Sequence, residues 1–390
     1  MRKSPMRSAQ NGMQRQRPRR PQESLTRRGF ARALATTLAG AVVSPRLGSG
    51  PPNAEPVLPP SPDGERLGRV VQDGVELKLR PDPESQTLAV LGEDAVVHWL
   101  REVVGPPPRF QVNWRWVETP EGYLFAPLVQ PVRELLNPPL PTLPQTDMGP
   151  GMWAEVSLPY VDLTHLDGRP RSPGLKARLE QAKTPRLYYS QVIWIDEIRT
   201  DAAGAQQYRI REPYGSYGDI FWAAAEAFRP LTAEELSPLS PEVSDKRVLV
   251  DNTRQTLSCF EGGSEVFYCR VSTGVNFDAL GNPLDRSSTP RGSHPIWRKL
   301  VSVHMSGGTT GGGWDLAGVG WVSLFVGSGV AIHSTFWHNN FGMTMSRGCV
   351  NARPEDAKFV FRWTQPSVPY IPGDVTVSMP GGTRVEVVEG

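Results

Sequence analysis

Residues Ala331-Ile332-His333-Ser334-Thr335 and Ser346-Arg347-Gly348-Cys349-Val350-Asn351 are separated by ten residues near the carboxy end of a 390-residue chain. Val330 to His333 reads as a short β-run, and Trp321 to Val326, across Gly327-Ser328-Gly329, completes a hairpin with it. His333 therefore ends a strand. Cys349 follows it by sixteen positions, enough chain to loop out and return beside it. Attack on an amide carbonyl needs a strong nucleophile, a base within hydrogen-bond reach and backbone donors for the developing oxyanion. Cys349 offers the thiol and His333 the imidazole. Small Gly348 permits close backbone approach, so that the Cys349 amide can face the oxyanion. A resting pair of this kind is expected at a sulfur-to-nitrogen distance of about 3 to 4 Å. Downstream, Pro354 suits a first helical turn and Glu355 and Asp356 suit the positive dipole end, so a helix is expected to about Trp363, with Ala357, Val360 and Phe361 on one face.

These motifs, with Ser272-Thr273-Gly274 ending a strand, Thr289-Pro290-Arg291-Gly292 and Asp356-Ala357, resemble in order and kind the signature of the L,D-transpeptidases (YkuD type) over about 145 residues. The resemblance implies a catalytic domain at 246–390, a β-sandwich or barrel-like fold with one helix after the cysteine motif. It implies Cys349 as the acylated thiol and His333 as its base. Ser334 would hold the other ring nitrogen through its backbone carbonyl, and the Gly348 and Cys349 amides would line the oxyanion hole. The family often has His before the Gly-Cys pair, where this chain has Arg347. Arg347 cannot act as a base, but a fixed charge there would favour the thiolate. Ser346, Arg347, Asn351, Trp337 and His304 are the candidate substrate-binding residues. His304 precedes the run Ser306 to Gly313, which reads either as a lid or as a plain surface loop.

Abundant Gly and Pro, Val-rich runs and Trp 11 fit a mainly β protein of several modules. Short apolar runs, Val75 to Leu79, Leu88 to Leu91 and Val112 to Val117, mark a first module at 66–137 that loosely resembles bacterial SH3-like domains. Trp153 to Leu158, Leu187 to Ile198 and Gln207 to Arg211 mark a second β module at 150–236. Tyr214 to Pro230 echoes Gly122 to Pro131, as a diverged duplication would. Aromatics in these modules either fill small cores or lie against sugar rings of wall glycan.

Residues 1–32 hold ten Lys or Arg against one Glu, leaving 32 basic and 39 acidic residues downstream, so the body carries no basic stripe for nucleic acid. Thr26-Arg27-Arg28-Gly29-Phe30 before the apolar run Ala33 to Val43 resembles a twin-arginine export signal over 1–45, cleaved or retained, followed by a Pro-rich linker at 46–65. The expected location is the outer side of the cytoplasmic membrane. Cys259 and Cys269 flank the Gly262-Gly263 turn and are either paired or separately buried. Scattered histidines without ligand spacing imply no metal, and no cofactor is expected. The expected partners are peptidoglycan peptide stems, with carbapenem-type inhibitors as thiol reagents. The expected reaction is stem cross-linking through a cysteine acyl-enzyme. An L,D-carboxypeptidase and a non-catalytic wall-binding protein are the alternatives.

Overall fold

In a computed structural model the described residues are 65–211, 218–275, 288–307 and 314–389. The segment 1–45 expected as an export signal, residues 46–64 of the expected linker, Tyr214 to Tyr217 and residues 308–313 of the glycine run lie outside them. The protein is mainly β, with helices at Pro173–Glu180, Ala233–Leu236 and Pro354–Trp363 among the described residues.

The first module carries a five-stranded antiparallel sheet, ordered Thr87–Leu91, Val75–Lys78, Gly122–Phe125, Arg115–Thr119, Arg101–Val104. A three-stranded sheet of Val96–His98, Leu67–Val70 and Val129–Val132 completes it. The second module is built on a six-stranded sheet with Met152–Val156 and Val192–Thr200 near its centre. The echo seen in the sequence has a shared local geometry. Gly122–Phe125 runs through a 3₁₀ turn, Ala126–Leu128, into Val129–Val132, and Ile220–Ala224 runs through Ala225–Ala227 into Phe228–Pro230.

From Lys246 onward two five-stranded sheets enclose a core that includes Val248, Leu257, Trp321, Ile332, Val350 and Phe361. One is ordered Ser264–Arg270, Thr256–Glu261, Lys246–Asp251, Arg384–Val388, Gly292–Pro295. The other is ordered Val350–Ala352, Val330–Ser334, Trp314–Val326, Arg298–Gly307, Asp374–Thr376. The hairpin read from the sequence is present, its first strand extended back to Trp314. Cys259 and Cys269 are free thiols, both buried. Cys259 sits opposite Phe267 and Cys269 opposite Leu257, so the two are diagonal neighbours across the strand pair rather than a facing pair.

The helix Pro354–Trp363 buries Ala357, Val360, Phe361 and Trp363, and Arg353 at its start makes no side-chain cap. Its far end is held by two buried lysine amines. Lys299 Nζ donates to the Phe361 and Thr364 carbonyls, and Lys246 Nζ to that of Trp363 at 3.0 Å, while burial lowers the pKa of both and that of Lys299 furthest.

The second module is not a separate bead. Trp153, Val192 and Trp194 lie inside the carboxy-terminal core. Tyr370 Oη accepts from the Trp153 amide at 3.0 Å and donates to the Leu231 carbonyl at 2.7 Å. Tyr370→Phe strips both bonds and is expected to cost about 1 to 3 kcal/mol. In urea it should lower the midpoint of one shared transition for both modules. Two separated transitions in the native chain would contradict the shared core.

Candidate active site

Two strands place the residues that matter. Val330–Ser334 pairs antiparallel with Trp314–Val326 on one side and parallel with Val350–Ala352 on the other, where Ile332 faces Val350 and His333 faces Asn351. Ile332 and Val350 turn into the core with no exposed surface. Alternation sends Ala331, His333, Cys349 and Asn351 to the opposite face. Strand register and alternation thus bring imidazole and thiol to one side of one sheet edge.

The turn before Cys349 is fixed from several directions. Gly348 has φ 122°, and a Cβ there would come within 3.3 Å of Val330, so only glycine suits the position. The Thr289 hydroxyl donates to the Gly348 carbonyl at 2.8 Å and accepts from the Gly274 amide at 2.9 Å. The Met345 and Ser346 amides both donate to the Thr273 carbonyl at 3.1 Å. The two flanking motifs noted in the sequence are therefore the frame of the Cys349 turn. Gln255, which the sequence did not single out, locks that frame: its carboxamide accepts from the Thr273 amide at 2.8 Å and donates to the Thr273 hydroxyl at 2.7 Å.

Two expectations need correction here. The Ser346 hydroxyl accepts from the Gly348 amide at 3.1 Å and donates to the Cys349 carbonyl, so it serves the turn instead of facing substrate. The same bond occupies the Gly348 amide, which is not open to an oxyanion. The Cys349 amide, by contrast, has no hydrogen-bond partner among the described residues.

His333 is buried, and its Nδ1–H donates to the Ser334 carbonyl at 2.9 Å, leaving Nε2 as the unprotonated nitrogen. Burial holds its pKa down to about 4 against that hydrogen bond, so the ring is neutral at pH 7. His338, also buried, is held down to about 3, by burial first and by His333 second. Its Nδ1 accepts from the Asn340 amide at 3.1 Å, so its proton sits on Nε2, 3.0 Å from the Asn351 carboxamide nitrogen. The Asn351 oxygen has no partner in that orientation, and turning the carboxamide over gives both groups one. Asn351, expected to meet substrate, is instead buried beside the site and braces His338.

The Cys349 thiol is partly exposed and lies 3.9 Å from the Gly329 carbonyl. It makes no hydrogen bond to His333, unlike the resting contact expected from sequence. The register explains the gap: Cys349 is level with Ala331, about 7 Å along the strand from His333. Turning Cys349 from one staggered χ1 well to another carries the sulfur about 3 Å. Burial raises the thiol pKa, opposed by the Ala331 backbone. Arg347 is exposed, and the net shift of the thiol is upward, set first by burial, where a lowering was expected from the neighbouring charge.

Trp337 lies with its ring centre 5.8 Å from that of His333 and meets Phe336 edge-on at 5.0 Å. It also lines a cavity of about 460 Å³ that His304, Asp315 and Tyr188 share and that Cys349 and His333 do not reach. His304 Nε2 bonds Asp315, whose other oxygen takes the Ser172 hydroxyl and, at 2.7 Å, the Gly174 amide. His304 is thus tied into the junction with the second module and faces the cavity that Trp337 also lines. Among the described residues no group of three or more His, Cys, Asp or Glu could hold a metal ion.

The buried neutral histidines set a sign for stability against pH. An unfolded His protonates near about 6.5, so their contribution is complete above that pH and is lost as pH falls towards their folded values of about 4 and about 3. Asp356, raised to about 6 by burial, works in the opposite sense, but it is one group against two. Urea unfolding should therefore show higher stability at pH 7 than at pH 5, with a shallower dependence in His338→Gln. An equal slope in the variant would contradict the burial of the ring.

No curated protein matches the chain. Among solved structures it is similar to a mutant of Enterococcus faecium L,D-transpeptidase, at 20% identity and TM-score 0.29 over 38% of this chain and 51% of that one. The chain thus spans about half the length of that protein. It is also similar to an L,D-transpeptidase from Mycobacterium smegmatis, at 18% identity and TM-score 0.29 over 49% and 82% of the two chains. A third, from Mycobacterium tuberculosis, shows 14% identity and TM-score 0.26 over 65% and 98%. The segment 245–387, which holds His333, Cys349 and both flanking motifs, is what matches a family model: that of YkuD, the L,D-transpeptidase catalytic domain.

Proposed function

We propose that the protein is a peptidoglycan L,D-transpeptidase that cross-links peptide stems through a thioester on Cys349. The observation that carries this reading is the tautomer of His333. With Nδ1–H given to the Ser334 carbonyl, Nε2 is left basic on the face that also carries the thiol. The sulfur swings from the Gly329 carbonyl toward the ring and gives its proton to Nε2 as it attacks the stem carbonyl. The oxyanion forms against the Cys349 amide. His333 returns the proton to the departing amine of the terminal D-residue, leaving the thioester. An amine on a neighbouring stem then attacks, its proton passes to His333, and the thiol is restored. Arg347, exposed two residues before Cys349, would meet an acidic group of the stem. Wall glycan contact falls to Phe110 and Trp114 of the first module, which are 84% and 55% exposed. Export by the twin-arginine route brings the chain to this substrate.

Purified protein incubated with tetrapeptide stems should yield dimers joined between two diamino-acid centres. Cys349→Ala should yield none, and His333→Gln should be slower by roughly 10²- to 10⁴-fold. A carbapenem should add once, at Cys349. Tripeptide without dimer would assign the L,D-carboxypeptidase reaction, which uses the same residues with water as acceptor. Neither product nor adduct would leave a non-catalytic wall-binding protein.

A further inference from the structure

The loop between His333 and Cys349 does not hang free. We infer that the amino-terminal module clamps this loop, with Asn113, Arg115 and Arg69 as positioning residues for the His333 imidazole. This rests on the reading of His333 as the base.

The clamp has two jaws. At the first, the buried Arg69 guanidinium donates to the Phe336 carbonyl at 2.8 Å, while Asp94 at 2.9 Å and the Gln130 carboxamide at 2.8 and 3.0 Å hold it in place. Its plane lies 4.1 Å from the centre of the Tyr188 ring, and Tyr188 stacks on Phe336 at 5.6 Å. Phe336 is thereby gripped by main chain and ring together, and it is Phe336 that backs Trp337 against His333. At the second jaw, the Asn339 amide donates to the Pro127 carbonyl at 3.0 Å, and its side chain to those of Ala126 and Val129. Arg115 donates to the Asn339 carbonyl at 2.8 Å, and Asn113 to the Asn340 side chain at 2.7 Å. Trp337 and His338, the two rings that flank the imidazole and the nucleophile strand, sit between the jaws.

Opposed pins on either side of two residues leave little freedom to the loop that roofs His333. They also keep water from the ring. Released, the loop would admit solvent to an imidazole whose protonation is now suppressed by burial. Among the described residues the titratable groups nearest the ring are His338 on the loop and Cys349 just before the neighbouring strand. Among the described residues burial and the Ser334 carbonyl are what act on it, so hydration is the lever.

The test is an NMR titration of the His333 ring in the full chain, with hydrogen exchange at the Asn339 amide and saturation kinetics of carbapenem acylation. Asn113→Ala/Arg115→Ala leaves the buried Arg69 and Asp94 pair intact, and either single variant serves if the double one does not fold. The native ring should titrate near about 4. In the double variant the Asn339 amide should exchange faster and the midpoint should rise by a unit or more toward about 6.5. Acylation at saturation should slow about tenfold, with the half-saturating concentration unchanged. Arg115→Lys, which keeps one donor for the Asn339 carbonyl, should recover part of each change. An unshifted midpoint with a fast-exchanging Asn339 amide would overturn the inference, as would an amide that stays protected. Should the native chain form no adduct while the midpoint still moves, the clamp stands and the proposed reaction fails.

Discussion

Everything at the site depends on the parallel pairing of Val330–Ser334 with Val350–Ala352. Two short, fully buried strands from either end of a loop are joined in one register, and that register fixes which side chains share a face. Core packing of Ile332 and Val350 on one side forces His333 and Cys349 to the other. A slip of one residue would put the imidazole in the core. The surrounding frame, from Gln255 through Thr273 and Thr289 to Gly348, exists to hold that register at its solvent end.

Burial then sets the protonation state. It lowers the imidazole and raises the thiol, so the resting pair is neutral and no ion pair draws the sulfur toward the ring. This accounts for a thiol that rests against the Gly329 carbonyl. A neutral pair suits a base that takes the proton only as attack proceeds. It also distinguishes Cys349 from Cys259 and Cys269, which burial deep in the sheet pushes much further up and removes from chemistry.

What the sequence disclosed was local. The helix Pro354–Trp363, the hairpin and the two frame motifs follow from dipole chemistry, turn glycines and short-range pattern, and each has its place in the structure. Where the reading failed, a non-local contact had overridden the pattern. Val112 was expected in a strand, but the chain there is irregular because Asn113 turns to Asn340, 227 residues away. Leu187 to Ile198 was read as one strand and breaks at Ser190, which takes φ 70°. Ser346 and Asn351 were expected at the substrate cleft and the Gly348 amide in the oxyanion hole; their hydrogen bonds turn them inward. No spacing rule joins Arg69 to Phe336 across 267 residues, so a side chain that braces the site carried no signal.

The three modules act on one another. The second shares its core with the carboxy-terminal sheets, and the first is hydrogen-bonded to the loop between His333 and Cys349. The most direct test of the central claim is a crystal structure of the carbapenem adduct at Cys349. The account predicts the sulfur rotated off the Gly329 carbonyl, with His333 Nε2 within about 4 Å of it and the adduct's carbonyl oxygen on the Cys349 amide. An adduct with the imidazole turned away, Nδ1 no longer on the Ser334 carbonyl, would contradict it.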